Sequence, residues 1–240
     1  MKPYLPIVPG SVSRRTIKDM IGDEIESLIS SGVLRVGDQL PSERDLATLL
    51  NVSRETVRRS IQLLEERGVV TISRGTRTRV NDVKLEKPNV GMLNSSSITG
   101  YTIDDVFGAR VEIERAVIAN AAERADDDFI SRLEVILDAQ KDCLNDTMKY
   151  FICDRSFHVT IYRHCNNRLM SDLAVDLYTY MLESRRNITD YVRAKRGYED
   201  HLSIMDALKA GDAKKAADIL EFHINRQYKT SQMLLDEARV

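Results

Sequence analysis

The stretch Gly37-Asp38-Gln39-Leu40-Pro41-Ser42-Glu43-Arg44-Asp45-Leu46-Ala47, with Val52-Ser53-Arg54-Glu55-Thr56-Val57-Arg58 close behind it, decides the N-terminal fold. Pro41 disfavours helical backbone in the residue before it, so Gln39-Leu40 should run extended. Ser42 stands where an N-cap belongs, and Asp45, three residues on, reads as a capping-box variant. The helix opened there is short and ends near Leu50. Asn51-Val52-Ser53 makes a turn, Ser53 caps a second helix from Arg54 to about Arg67, and Gly68 stops it. Two helices joined by so tight a turn form a helix-turn-helix. Val69–Ile72 and Arg77–Val80 read as strands on either side of the turn Ser73-Arg74-Gly75-Thr76. Upstream, Ile17, Met20, Ile21, Ile25, Leu28 and Ile29 form the stripe of an amphipathic helix over 13–30, with Gly32 as its stop. Residues 1–81 therefore read as a winged helix-turn-helix.

In that fold the second helix enters the major groove with its first residues near base edges. Those residues are Arg54, Glu55, Thr56 and Arg58. Arginine can bond guanine O6 and N7 together, and glutamate can accept from cytosine N4. Arg74, at the hairpin tip, should reach a phosphate or the adjacent groove. Charge agrees once it is read by position. The whole chain carries −2, but residues 53–80 hold seven arginines against three glutamates, a local +4 that leaves −6 for the remainder. The near-neutral total hides a basic face.

From residue 82 the character changes. Pro88, Gly91, Ser95-Ser96-Ser97 and Gly100 break every period, and 82–101 reads as a linker. Residues 102–240 contain no proline and read as about six helices, near 103–125, 127–145, 147–164, 167–192, 197–210 and 212–236. The fold class is thus mainly α, a winged helix-turn-helix followed by an all-α bundle. With 240 residues, 42% hydrophobic and 30% charged, the chain has the make-up of a folded two-domain protein rather than a disordered one. No apolar run approaches the ~18 residues that span a bilayer. The first residues lack a signal-peptide core, and the three cysteines form no C-x-x-C pair. A cytoplasmic protein with buried free thiols is expected.

In the bundle, Asp154 and His158 are four apart and share a helix face. His201 and His223 fall on the last two helices, which Gly211-Asp212 makes antiparallel neighbours. Three imidazoles and a carboxylate suit a divalent ion, zinc first, with nickel or manganese as alternatives. An arginine facing a bundle interior needs an anion, and Arg110 either meets a ligand or pairs internally with Glu114. An open metal position could also activate water, as in a metal-dependent hydrolase, but no general base or nucleophile motif marks that chemistry.

Residues 33–80 resemble the winged helix-turn-helix of GntR-type bacterial transcription regulators, a likeness that runs on through Leu63-Leu64-Glu65-Glu66-Arg67-Gly68-Val69-Val70. The resemblance implies operator contacts by Arg44, Arg54, Arg58 and the wing tip Arg74-Gly75. Glu55 and Arg59 depart from the usual residues, which bears on the operator sequence. Residues 102–240 resemble the FCD effector domain of the FadR branch of that family, through Phe151–His158, Glu199–Asp212 and His223-Ile224. Six helices suggest its VanR-like subdivision. The resemblance implies a metal on Asp154, His158, His201 and His223. It also implies an effector carboxylate on Arg110. Asn167, Tyr178, Arg185 and Asn187 fall on helices in a position to line the same cavity. His164 matches no ligand position. The expected protein is a metabolite-responsive regulator, with repression as the expected sense. Its partners would be double-stranded operator DNA, a small organic acid and a second copy of itself. A pure metal sensor without an organic effector is the alternative.

Overall fold

The computed structural model describes residues 17–50, 52–73, 77–82, 100–186 and 189–237. Among them are nine helices and one two-stranded sheet. The N-terminal part consists of α1 (Ile17–Ser30), α2 (Glu43–Leu49), α3 (Arg54–Glu66), β1 (Val70–Thr71) and β2 (Arg79–Val80). The bundle consists of α4 (Ile103–Ala122), α5 (Asp127–Lys141), α6 (Thr147–His164), α7 (Arg168–Arg186), α8 (Tyr191–Lys209) and α9 (Ala213–Glu237).

Local chemistry sets the N-terminal elements. Ser42 Oγ accepts from the Asp45 backbone N–H at 3.1 Å, and Ser53 Oγ accepts from Thr56 N–H at 3.1 Å. Each bond satisfies a donor that the first helical turn leaves without a partner. The Asp45 carboxylate meets Lys149 Nζ of α6 at 3.1 Å, so this side chain links two parts of the molecule rather than closing the expected capping box. Gly68 ends α3 at φ 74, where a Cβ would be strained, and Val69 N–H bonds back to Leu64 O at 2.8 Å. β1 and β2 pair antiparallel with Val70 opposite Val80, and Gln39 forms an isolated bridge to Arg79. The segment that Pro41 keeps extended thus becomes a third, minimal strand of the wing.

The strands are shorter than expected, and the hairpin tip Ser73–Thr76, apart from Ser73, lies outside the described residues. So do residues 83–99, most of the expected linker. The expected boundary between the fourth and fifth bundle helices is wrong. One helix over 167–192 was anticipated, but α7 ends at Arg186 and α8 already begins at Tyr191. Asp190 is the reason. Its backbone is extended and its side chain accepts from Arg193 N–H at 2.9 Å, an N-cap that starts a new helix at Tyr191.

The core is continuous through both parts. Ile25, Leu28, Val57 and Leu64 fill the N-terminal portion, and Val117, Phe129, Phe157 and Leu208 fill the bundle, each at most 1% exposed. α4 lies along α7 and α9 and also touches α6, while α5 packs on α6 and α8. Gly211, at φ 64, makes the α8–α9 turn, and Asp212 caps α9 through Lys215 N–H at 2.9 Å. This tight turn brings His201 and His223 side by side.

Candidate functional site

α6 presents Asp154 and His158 to the bundle interior, α8 presents His201 and α9 presents His223. All four are 0% exposed. One nitrogen from each imidazole lies within 4.8 Å of the others. Asp154 Oδ1 is 3.6 Å from His201 Nε2.

The outer partners fix the tautomers. Gln140 Oε1, which can only accept, is 2.9 Å from His201 Nδ1. Asp200 Oδ2, also an acceptor, is 2.7 Å from His223 Nδ1 and is itself held by Arg226, with Nη1 at 3.1 Å from Oδ1. Tyr162 donates its hydroxyl hydrogen to Glu114 Oε2, so its oxygen is left to accept from His158 Nδ1 at 3.2 Å. Each imidazole therefore carries its hydrogen on Nδ1 and turns the Nε2 lone pair inward. His158 Nε2 and His201 Nε2 stand 3.2 Å apart. Two lone pairs at that distance repel unless a proton or cation lies between them. Protonation is disfavoured, because burial above all pushes His158 well below the usual histidine value, and the neighbouring imidazoles and Arg110 add to the effect against Asp154. The donor set (three Nε2 atoms and one carboxylate) suits a borderline divalent cation. Gln227 Nε2 donates to His223 Nε2 at 2.6 Å and would have to yield that lone pair to a metal.

Beside the histidines lies a second buried group. Arg110 is 2% exposed and its Nε donates to Glu114 Oε1 at 2.5 Å. The internal pairing weighed for Arg110 is therefore present. The guanidinium also sits 5.3 Å from the Tyr178 ring centroid. The Tyr178 hydroxyl donates to Asp154 Oδ2. Burial first, then the Glu114 charge, raises the Tyr162 phenol well above its ordinary value, so it stays protonated. Of the expected effector residues, Arg110 and Tyr178 border the histidine cluster. Asn167 does not. It is exposed at the start of α7, and its Oδ1 accepts from Met170 N–H at 3.2 Å, a helix-capping role. The Arg185 side chain and Asn187 lie outside the described residues. His164 stands apart from the cluster, stacked on Phe129 at 3.9 Å and bonded to Arg124 O at 2.9 Å. The three cysteines are free and buried.

Sequence reasoning missed Gln140, Asp200, Gln227 and Tyr162. Two of them left a signal. Gln140 continues the stripe Phe129, Leu133, Ile136, Leu137 of α5, a polar residue where an apolar one is expected. Tyr162 stands four residues after His158, on the same face of α6. Gly197 was also missed. A Cβ there would lie 2.3 Å from the Tyr150 hydroxyl oxygen and 4.0 Å from His223 Cε1, so glycine is what lets α8 approach Tyr150 this closely.

On the N-terminal part, Arg44, Arg54, Glu55 and Arg58 are exposed along the start of α2 and α3, and Thr56 is half-buried with its hydroxyl 2.7 Å from Ser53 Oγ. The arginines are organised by acids. Glu43 accepts from Arg58 Nη2 at 3.0 Å and from Arg58 Nε at 3.3 Å, and Arg54 Nη2 is 3.8 Å away. Glu55 takes Arg59 at 2.9 Å. Arg74 and Gly75 lie outside the described residues.

Residues 17–80 match the family model described as bacterial regulatory proteins, gntR family, and residues 105–226 match the FCD domain. The HTH-type transcriptional repressor NanR of Cronobacter sakazakii is 27% identical over 240 residues, spanning 95% of this chain and 90% of its own. The protein of that name from an Enterobacter species is 28% identical, over 89% and 85% of the two chains. Among solved structures, E. coli McbR/YncC superposes with a TM-score of 0.55 at 18% identity, covering 92% of this chain and 99% of that one, and so supports the fold. Among the described residues no helix is long and apolar enough to cross a membrane. A gntR-type DNA-binding unit joined to an FCD domain over half the chain's length makes this protein a member of the GntR family of transcription regulators, in its FCD-containing group.

Proposed function

We propose that the protein is a repressor whose operator affinity responds to a divalent metal and a small carboxylate bound in the FCD bundle. The observation that carries the metal reading is the inward turn of three Nε2 lone pairs, each fixed by a partner on Nδ1, beside the Asp154 carboxylate. Such outer partners orient histidine ligands and raise their basicity. Asp154, His158, His201 and His223 would hold the ion, zinc being the best match and nickel or manganese the alternatives. When bound, the ion supplies a positive charge and open coordination positions for an anionic oxygen. Arg110 and Tyr178, at the border of the cluster, would meet that anion, with Glu114 releasing Arg110. Arg44, Arg54, Glu55, Thr56 and Arg58, with the wing tip Arg74-Gly75, would contact the operator. Two copies of the chain would bind its two half-sites. The name shared by the NanR relatives supports repression as the sense of regulation.

The test is calorimetric titration of metal-free protein with zinc, for the wild type and a His201→Ala, His223→Ala variant. Strong binding by the first and none by the second is expected. Equal binding by both overturns the metal assignment. A thermal-shift screen of organic acids with and without zinc then tests the effector, since a ligand specific for the native state raises its melting temperature. The Arg110–Glu114 pair favours a second reading, a metal sensor without an organic effector, because Glu114 already supplies the anion that Arg110 needs. Operator affinity that follows zinc alone and ignores every acid would decide for that reading.

A further inference from the structure

α6 carries two kinds of contact on neighbouring faces. Asp154 and His158 face the histidine cluster. Arg155, the next residue after Asp154, is 1% exposed and turns the other way, out of the bundle. Its Nη1 donates to Glu24 and its Nη2 donates to Ser27 Oγ at 2.9 Å, both on α1 of the DNA-binding part. Nearer the start of α6, Lys149 Nζ meets Asp45 Oδ2 of α2 at 3.1 Å. Close to these anchors lies a cleft of about 290 Å³, walled by Ile21, Leu49 and Val52 on one side and Ile136 and Val159 on the other. Close-packed interiors resist rearrangement. Here the contact between the two parts is ionic and directional beside a cleft rather than close-packed throughout.

α1 in turn is fixed to the recognition helix. A Cβ at Gly22 would sit 3.5 Å from Ser60 Oγ and 4.0 Å from Leu64, which shows how closely α1 approaches α3. Glu26, buried on α1, pairs with Arg67 at the C-terminal cap of α3 at 2.8 Å. A shift of α1 is therefore passed to α3. A buried guanidinium leaves its carboxylate only at high cost, so Glu24 must follow Arg155 when α6 moves.

We propose that Arg155 is a positioning residue that couples the histidine cluster to the recognition helix, by tying α6 at Asp154 to α1 through Glu24 and Ser27. The inference rests on the metal reading of that cluster. A ligand shifts an equilibrium only by its differential affinity for the two states, and Arg155 supplies the link through which a change at the cluster would reach α1.

The experiment uses full-length protein, zinc as the probe, and an operator recovered by the wild type from random-sequence DNA. It measures zinc binding by calorimetry, operator affinity with and without zinc, and hydrogen exchange of Ile17–Ser30. The variants are Glu24→Gln, which keeps the shape and removes the charge, and Ser27→Ala, which removes only a neutral hydroxyl and carries the test should Glu24→Gln fail to fold. The wild type is expected to bind zinc, with an operator affinity that zinc changes on the order of 5–150-fold. Both variants should bind zinc as the wild type does, with the zinc effect on operator affinity and α1 exchange reduced, toward none in Glu24→Gln. A Glu24→Gln protein that keeps the full effect overturns the coupling and leaves the metal reading intact, as does a folded Ser27→Ala protein doing so where Glu24→Gln does not fold. Wild-type protein that binds zinc with no change in operator affinity or α1 exchange overturns the coupling alone. Wild-type protein that binds no zinc overturns the metal reading, and the coupling with it.

Discussion

Gly197→Ala tests the packing behind the histidine cluster. Inside α8, replacing glycine by alanine should by itself favour the helix by about 1 kcal/mol. Against this stands the Tyr150 hydroxyl oxygen, 2.3 Å from the position of the new Cβ, a separation that real Cβ atoms do not tolerate. Tyr150 is 1% exposed and has Phe151 beside it at a ring distance of 5.6 Å, so a shift of its ring disturbs a buried neighbourhood. Overpacking of this kind costs about 1–3 kcal/mol. The single variant should therefore range from neutral to about 2 kcal/mol less stable. Removing the hydroxyl by Tyr150→Phe changes the sum, because the nearest remaining ring atom, Cζ, is 3.6 Å away, an ordinary contact. In that background Gly197→Ala should stabilise by about 1 kcal/mol. The coupling between the two changes is then about 1–3 kcal/mol, well outside the ~0.5 kcal/mol expected of independent sites. Urea denaturation of the four proteins measures it. Additive effects would show that Tyr150 does not occupy the space against Gly197, and the reasoning would fail.

Arg58→Ala should weaken specific operator binding by about 1–3 kcal/mol, roughly 5–150-fold, if the arginine reads a base, and unchanged affinity in a gel-shift titration would remove it from the reading face. Gln140→Leu takes away the acceptor on His201 Nδ1 and should lower zinc affinity about 10–100-fold in calorimetry while circular dichroism stays unchanged, whereas wild-type affinity would deny Gln140 an orienting role. For Asp45, burial pushes the carboxyl up, but the Lys149 hydrogen bond and charge, with Ser42, outweigh it and hold it below the usual carboxylate range. A group depressed in the folded state stabilises above its unfolded pKa and loses that contribution as pH falls through the folded value. Asp45→Asn should therefore melt earlier than the wild type at neutral pH, with the difference closing in acid, and a gap that persists well below the carboxylate range would contradict the pairing.

What could be read in advance follows the range of each signal. Caps and stops act within four residues, so Ser42, Ser53, Gly68 and Gly211 declared their helices. Asp190 is equally local and was passed over because the apolar period continues across it. The alignment of Asp154 with His158 is also local, while the convergence of His201 and His223 on them depends on packing between three helices. Their convergence was expected through resemblance rather than spacing. The residues around the cluster were hardest to see. Asp200 is adjacent to His201 in sequence yet holds His223, a contact made only when α8 and α9 lie side by side. The Glu43 clamp on Arg58 spans the turn between α2 and α3, and nothing in a count of charges distinguishes it from a solvated surface pair.

The complete burial of the histidine cluster also has a consequence in time. With Asp154, His158, His201 and His223 all at 0% exposure, whatever binds among them cannot leave by diffusion alone. Helices α6, α8 and α9 must part first, and such local openings are rarer the more core they disturb. Release would then be limited by the breathing of the bundle, however fast the surrounding concentration falls. On the proposed reading, a sensor built this way would retain its signal, and the operator would report the cell's recent past rather than its present moment.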